Sequence, residues 1–292
     1  MDILNNYECY KECNIKKYNT YKLDVICKYL VFVKDTYELI ELLKYLKDNN
    51  IKYLVLGNGS NVIFANSYYD GVIIKLDKMS SMEVKDNLVT VSCGYSLSKL
   101  SRDILEYNLV GLEFATGIPG LVGASIAMNA GAYNKDMSMV VREVTVLDKN
   151  LNVITLKNEE LDFSYRDSFL KKNKEYICLS GVLELEYGNK EDSLELIRHR
   201  REKRMETQPL DYPSAGSVFR NPEGMHAGEL IEKCGLKGKN INGAEISKKH
   251  ANFIINVGNP TGRDIIKLID IAREKVLEKY GISLILEQEI IE

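Results

Sequence analysis

No tryptophan occurs in these 292 residues, and proline (five) and histidine (three) are scarce. So few histidines, none of them near a cysteine in sequence, argue against a structural zinc site. The six cysteines (9, 13, 27, 93, 178 and 234) form no CxxC pair, so they are expected to be free thiols. No apolar run approaches a membrane span, and the N-terminal MDILNNYECYKECN is polar and without a signal core. With a net charge of -3 there is no excess of basic residues to serve nucleic acid or an anionic membrane. The expectation is a cytoplasmic protein, a monomer, with no metal, membrane or nucleic acid. The densest basic run, RHRREKR at 198–204, contains Glu202; it suits a solvated helix face, or local recognition of a phosphorylated ligand.

Hydrophobic residues at 45% and charged residues at 28% supply ample core material for one large domain or two ordinary ones. After a polar lead-in over 1–19, YLVFVKD reads as a strand. DTYELIELLKYLKDNN reads as a helix, with Asp35 as cap and Leu39, Leu42, Leu43 and Leu46 on one face. VREVTVLDKNLNVITLKN resembles a hairpin, and EYGNKEDS at 186–193 is the best boundary. The last long helix has a cap signal at Thr261 and a stop at Gly281. The pattern predicts mixed α and β in two parts, 20–187 and 192–292.

Two glycine-rich stretches carry the chemistry. GNGSN (Gly57, Asn58, Gly59, Ser60, Asn61) follows a strand, but the third glycine of a GxGxxG fingerprint is Val62 and β-like sequence comes next. It suits either a tight turn or a loop whose amides face an anion. GLEFATGIPGLVGASIAMNAGAY (111–133) has no lysine or arginine. Pro119 could open a helix running to about Met128, with Gly117, Gly120, Gly123, Ala124 and Ser125 crowding its N-terminal region. Phosphate at a helix N-terminus and close helix–sheet packing both demand such small residues. Two such loops together suit a dinucleotide such as FAD.

These stretches, with SYRDS, SAGSVFRNP and GELIEKCGLKG…GAEISKKHANFIIN, closely resemble the UDP-N-acetylenolpyruvoylglucosamine reductase family from about residue 20 onward. The resemblance implies an α+β fold: a vanillyl-alcohol-oxidase-type (PCMH-type) FAD-binding domain of two α/β lobes, then a smaller α+β substrate-binding domain. It extends the cofactor-binding set to Ile118, Pro119, Asn129, Gly131 and Ala132. Some flavoproteins of this superfamily attach FAD through a histidine near the first loop; here the histidines are 199, 226 and 250, so the FAD is expected to be non-covalent. NADPH is the implied hydride donor and UDP-N-acetylglucosamine enolpyruvate the implied substrate, reduced to UDP-N-acetylmuramate for peptidoglycan.

Reducing an enol ether conjugated to a carboxylate puts a hydride on one carbon and a proton on its neighbour, with negative charge developing between those events. The resemblance assigns Arg166 to the developing charge, Ser217 to proton donation and Glu287 to the substrate carboxylate region. Glu289, two residues on, shares its strand face. Tyr165, Arg220 and Asn221 match substrate-binding positions, whereas His250 reads as structural. The sequence departs from the family pattern at NTYKLDVICKYL, which lacks a glycine pair, and at Ala124 and Asn134. The short connection from Arg166 to Ser217 resembles a compact subclass without a tyrosine-bearing closing loop. A different flavin oxidase, or a nucleotide-sugar-binding module without catalysis, would be the competing functions.

Overall fold

The computed structural model describes residues 2–292. Of the expected lead-in, Met1 lies outside the described residues, and the rest is structured: Glu8–Asn14 is a strand and Ile15 is fully buried. The chain forms two compact units that interleave in sequence. Among the described residues the first comprises 2–10, 29–57 and 71–201; the second comprises 11–28, 58–70 and 202–292. The helix Lys190–Thr207 starts inside the segment expected to separate two parts, and the division falls within that helix.

In the first unit the helix Thr36–Asp48 begins where the Asp35 carboxylate accepts from the Glu38 amide, at 2.8 Å. Leu39, Leu42, Leu43 and Leu46 are fully buried, each contributing about 1.5–3 kcal/mol. Nearby, the strand Tyr53–Leu56 pairs in parallel with Val72–Lys75. A five-stranded antiparallel sheet follows the order Val153–Lys157, Val141–Leu147, Ile177–Glu184, Leu88–Ser92, Met82–Lys85. Its first two strands are the expected hairpin, with Glu143 opposite Lys157. A short helix, Val122–Ala127, packs on Ile177–Glu184.

In the second unit Val62–Phe64 pairs in parallel with Glu289–Ile291, placing Val62 opposite Glu289. A three-stranded antiparallel meander runs through Asn240–Ile241, Ala244–Ile246 and Ile254–Asn256. The helix Gly262–Tyr280 carries a reciprocal cap between Thr261 and Asp264 and ends at Gly281 in the left-handed region (φ 68°). Its buried stripe is Ile265, Leu268, Ile269, Ala272 and Val276. Gly262 sits so close to Phe64 that a Cβ there would collide with the Phe64 carbonyl oxygen. Gly262→Ala should therefore lower unfolding stability by about 3 kcal/mol, read as a shift of the denaturant midpoint; an unchanged midpoint would refute the contact.

Candidate active site

The glycine-rich segment meets its neighbours in the first unit in two different ways. Gly123 faces inward: a Cβ there would lie 2.8 Å from Cys93 Cβ and 3.4 Å from Cys178 Cβ. The first amides of the short helix are already committed, Val122 N–H to Tyr95 O and Gly123 N–H to Cys93 O, both at 2.9 Å. Burial in this contact pushes the Cys93 thiol up to about 12. Close packing thus accounts for Gly123, and the helix spans Val122–Ala127 rather than starting at Pro119. Leu121 is extended (φ -89°, ψ 153°), which keeps Pro119 and Gly120 in the loop.

Of the other small residues Gly117 and Ala124 face outward, whereas Gly120 and Ser125 are buried. Ala124 is exposed, and a Cβ on Gly57 would come within 3.3 Å of Ala124 Cβ, so the first glycine stretch begins against the second. Gly117 and Pro119 are exposed and Ile118 half-buried. Gly120 N–H has no acceptor among the described residues, and Ser125 Oγ donates to Leu121 O at 2.8 Å. Behind Gly57 lies Lys75, 1% exposed, whose ammonium donates to the Gly57 carbonyl and pairs with Asp77 at 3.1 Å. Burial lowers the Lys75 pKa. Nothing in the strand-like VIIKL distinguishes this inward lysine from a solvated one.

Asn129, 1% exposed and left-handed (φ 42°), ties this segment to the SYRDS turn. Its Nδ2 donates to Ser164 O at 2.9 Å and to Asp136 Oδ2 at 3.2 Å, and its Oδ1 accepts from Ser138 N–H at 3.0 Å. Gly131 and Ala132 pair with Asp136 and Lys135 in a tight hairpin. Ser164 and Asp167 exchange backbone hydrogen bonds around Tyr165 and Arg166, with Arg166 at φ 58°. An arginine in that region is strained, and such strain recurs where a side chain must be aimed. Arg166 Nη2 donates to Gly131 O at 2.5 Å, and its guanidinium lies 5.2 Å from the half-exposed Tyr165 ring. The first unit thus brings Arg166, Tyr165, Asn129 and Gly131 together.

In the second unit Gly59 is left-handed (φ 62°) and lies against Tyr18 O, where a Cβ would collide. Its carbonyl accepts from Thr20 N–H at 3.1 Å and from Thr20 Oγ1 at 3.2 Å, so the segment without the glycine pair still anchors the loop. The amides of Gly59 and Ser60 have no acceptor among the described residues, which leaves them for an anion. Asn61 Nδ2 donates to Glu287 O at 3.1 Å, and Glu289 N–H donates to Asn61 O at 2.8 Å.

The Ser217 loop joins the same strand end. Glu287 N–H donates to Val218 O at 2.8 Å, and Arg220 N–H to Ile285 O at 2.9 Å. Asn252, 3% exposed, clamps Phe219 from both sides, with Oδ1 accepting from its N–H at 2.9 Å and Nδ2 donating to its carbonyl at 2.8 Å. The Ser217 hydroxyl makes no hydrogen bond among the described residues. Arg220 Nε is buried without a partner, a polar group that a bound ligand would satisfy. Asn221 Oδ1 accepts from Ala227 N–H at 3.1 Å at the start of the helix Ala227–Lys233. His250 accepts from Asn252 N–H at 3.2 Å and packs edge-on to Phe253, a structural placement. The second unit thus gathers Asn61, Ser217, Glu287, Glu289 and Arg220. Among the described residues no cluster of histidine, cysteine, aspartate or glutamate could hold a metal, and no helix is long and apolar enough to cross a membrane.

The exposed small residues and the unspent Gly120 amide of the first unit, and the unspent Gly59 and Ser60 amides and unpartnered buried Arg220 of the second, are groups of the kind that a phosphate-bearing ligand satisfies. Residues 27–157 match the family model for an FAD binding domain, and 208–291 that of the C-terminal domain of UDP-N-acetylenolpyruvoylglucosamine reductase. The enzyme of that name from Caldicellulosiruptor bescii is 45% identical over 97% of this chain and 90% of its own. That from Caldanaerobacter subterraneus subsp. tengcongensis is 41% identical over 99% of this chain and 96% of its own. The crystal structure of the Thermus caldophilus enzyme superposes with a TM-score of 0.82 at 30% identity, covering 98% of this chain and 99% of that one. The chain belongs to the UDP-N-acetylenolpyruvoylglucosamine reductase family.

Proposed function

We propose that this protein is a cytoplasmic, monomeric, FAD-dependent reductase that converts UDP-N-acetylenolpyruvoylglucosamine to UDP-N-acetylmuramate with NADPH as reductant. The observation that carries the mechanism is the uncommitted Ser217 hydroxyl on a backbone fixed by its neighbours. Six free cysteines suit a reducing compartment. The residues that would hold FAD are those of the two glycine-rich loops: Gly57 to Asn61 and Gly117 to Gly120, with Ala124. FAD, when bound, supplies the two-electron relay from nicotinamide to substrate.

The chain's own groups do the rest. Arg166 offers a fixed fork of donors to the oxygen on which charge develops. The Ser217 O–H bond breaks as its proton moves to the α carbon of the enolpyruvyl group, and the serine oxygen recovers a proton from solvent. A hydroxyl is a weak acid, so this transfer depends on nearby positive charge; the Ser217 loop itself carries Arg220. Glu287, which shares its strand face with Glu289 while Gln288 points inward between them, would act with Arg166 on the enolate-like intermediate near the substrate's acid end. Arg220 and Asn221 suit the nucleotide-sugar portion.

Anaerobic stopped-flow spectroscopy of the flavin, mixed first with NADPH and then with the enolpyruvyl substrate, tests the assignment. Bleaching followed by substrate-dependent recovery is expected; recovery only with oxygen would instead mean an oxidase. In the same assay either Glu287→Gln or Glu289→Gln should slow recovery by on the order of 10²-fold, leaving bleaching unchanged. Normal recovery in both variants would remove this strand face from the mechanism.

A further inference from the structure

The reading of Ser217 as proton donor leaves open what aims it, and the residue between the two strand-face glutamates answers that. Gln288 is 3% exposed. Its Nε2 donates to three successive carbonyls of the Ser217 loop: Ala215 at 3.0 Å, Gly216 at 3.2 Å and Ser217 itself at 3.4 Å. Its Oε1 accepts from the Tyr21 hydroxyl at 2.9 Å. Tyr21 is fully buried, and that burial pushes its pKa well up, so its hydroxyl remains a donor at physiological pH. With Oε1 held by a donor, the amide has one orientation, and both N–H bonds face the loop. Tyr21 is fixed in turn, its carbonyl accepting from Asn256 Nδ2 at 2.8 Å.

The loop needs such a brace. Gly216 is left-handed (φ 74°), and nothing lies within 4 Å of where its Cβ would be, so no side chain packs at the position just before Ser217. On the far side Val218 and Phe219 are held by Asn252 and by Glu287 N–H. The near side, 215–217, faces Gln288.

We propose that Gln288, oriented by Tyr21, is a positioning residue that sets the Ser217 hydroxyl for one-sided protonation of the substrate's α carbon. The inference rests on the function proposed above. Protonation makes that carbon stereogenic, so one fixed donor yields one configuration. A displaced donor lets water deliver the proton from either face.

The test uses the FAD-loaded enzyme. Gln288→Met keeps the length and removes both N–H donors. Flavin reduction by NADPH should be unchanged, and reoxidation by the enolpyruvyl substrate slower by on the order of 10²-fold, the penalty for a donor misplaced by about 1 Å. Proton NMR of the lactyl group should show a second diastereomer absent from the wild-type product. An unchanged rate with a single diastereomer overturns the proposal, as does equal slowing of both half-reactions with one configuration, which marks a merely structural role. If Gln288→Met does not retain flavin, Tyr21→Phe decides. It removes one hydroxyl, should slow reoxidation up to about tenfold, and should give the same stereochemical leak; its absence overturns the proposal. Wild-type enzyme that fails to turn over the enolpyruvyl substrate would instead sink the function itself.

Discussion

Ser217→Ala should reduce the rate of enol reduction by about 10²–10⁴-fold, the usual contribution of a positioned general acid. Reduction of the flavin by NADPH should stay at the wild-type rate. The split between half-reactions follows from the structure of the loop. Its backbone is held through Asn252, Gln288 and the Glu287 amide, none of which uses the serine side chain. Removing Oγ therefore removes chemistry without removing a brace. Ser217→Cys, which restores a donor at the same position, should recover part of the lost rate. Equal losses in both half-reactions for Ser217→Ala would mean that the hydroxyl holds structure and donates no proton.

Arg166→Met should cost enol reduction about 10²–10³-fold, comparable to the loss of one preorganised oxyanion donor. Arg166→Lys should fall between the wild type and Met, because an ammonium keeps the charge but not the planar fork. The turn itself should survive both changes. It is held by the Ser164–Asp167 backbone pair, by Asn129 and by Lys171 Nζ, which donates to Arg166 O at 2.9 Å. Stopped-flow traces of the two variants read this order of rates. A wild-type rate in Arg166→Met would show that the strained turn serves only to close the Gly131 hairpin.

Much of the fold could be read along the chain because it depends on local chemistry. Asp35 and Thr261 cap helices through their own side chains, Gly281 stops one, and the hairpin of Val141–Leu147 with Val153–Lys157 follows from alternation. The glycine-rich segment was less legible for a physical reason. A missing Cβ serves a ligand and a packed neighbour equally, and the chain uses both: Gly123 for Cys93, the Gly57–Ala124 contact for an outward surface. Lys75 and Gln288 could not be found from pattern, because a buried polar residue in a strand carries no mark of its distant partners. The interleaving of the two units is of the same kind. Neither VIF at 62–64 nor EII at 289–291 names the other, although their pairing sets the second unit.

That pairing also gives the protein a schedule. The end of the first glycine stretch is held by Glu287 and Glu289, with 226 positions separating Asn61 from Glu287. A ribosome adding about 5–20 residues per second needs on the order of ten seconds or more to cover that distance. The nascent chain therefore carries a finished glycine sequence and an unfinished loop, whose end is fastened only after Glu287 and Glu289 have been made.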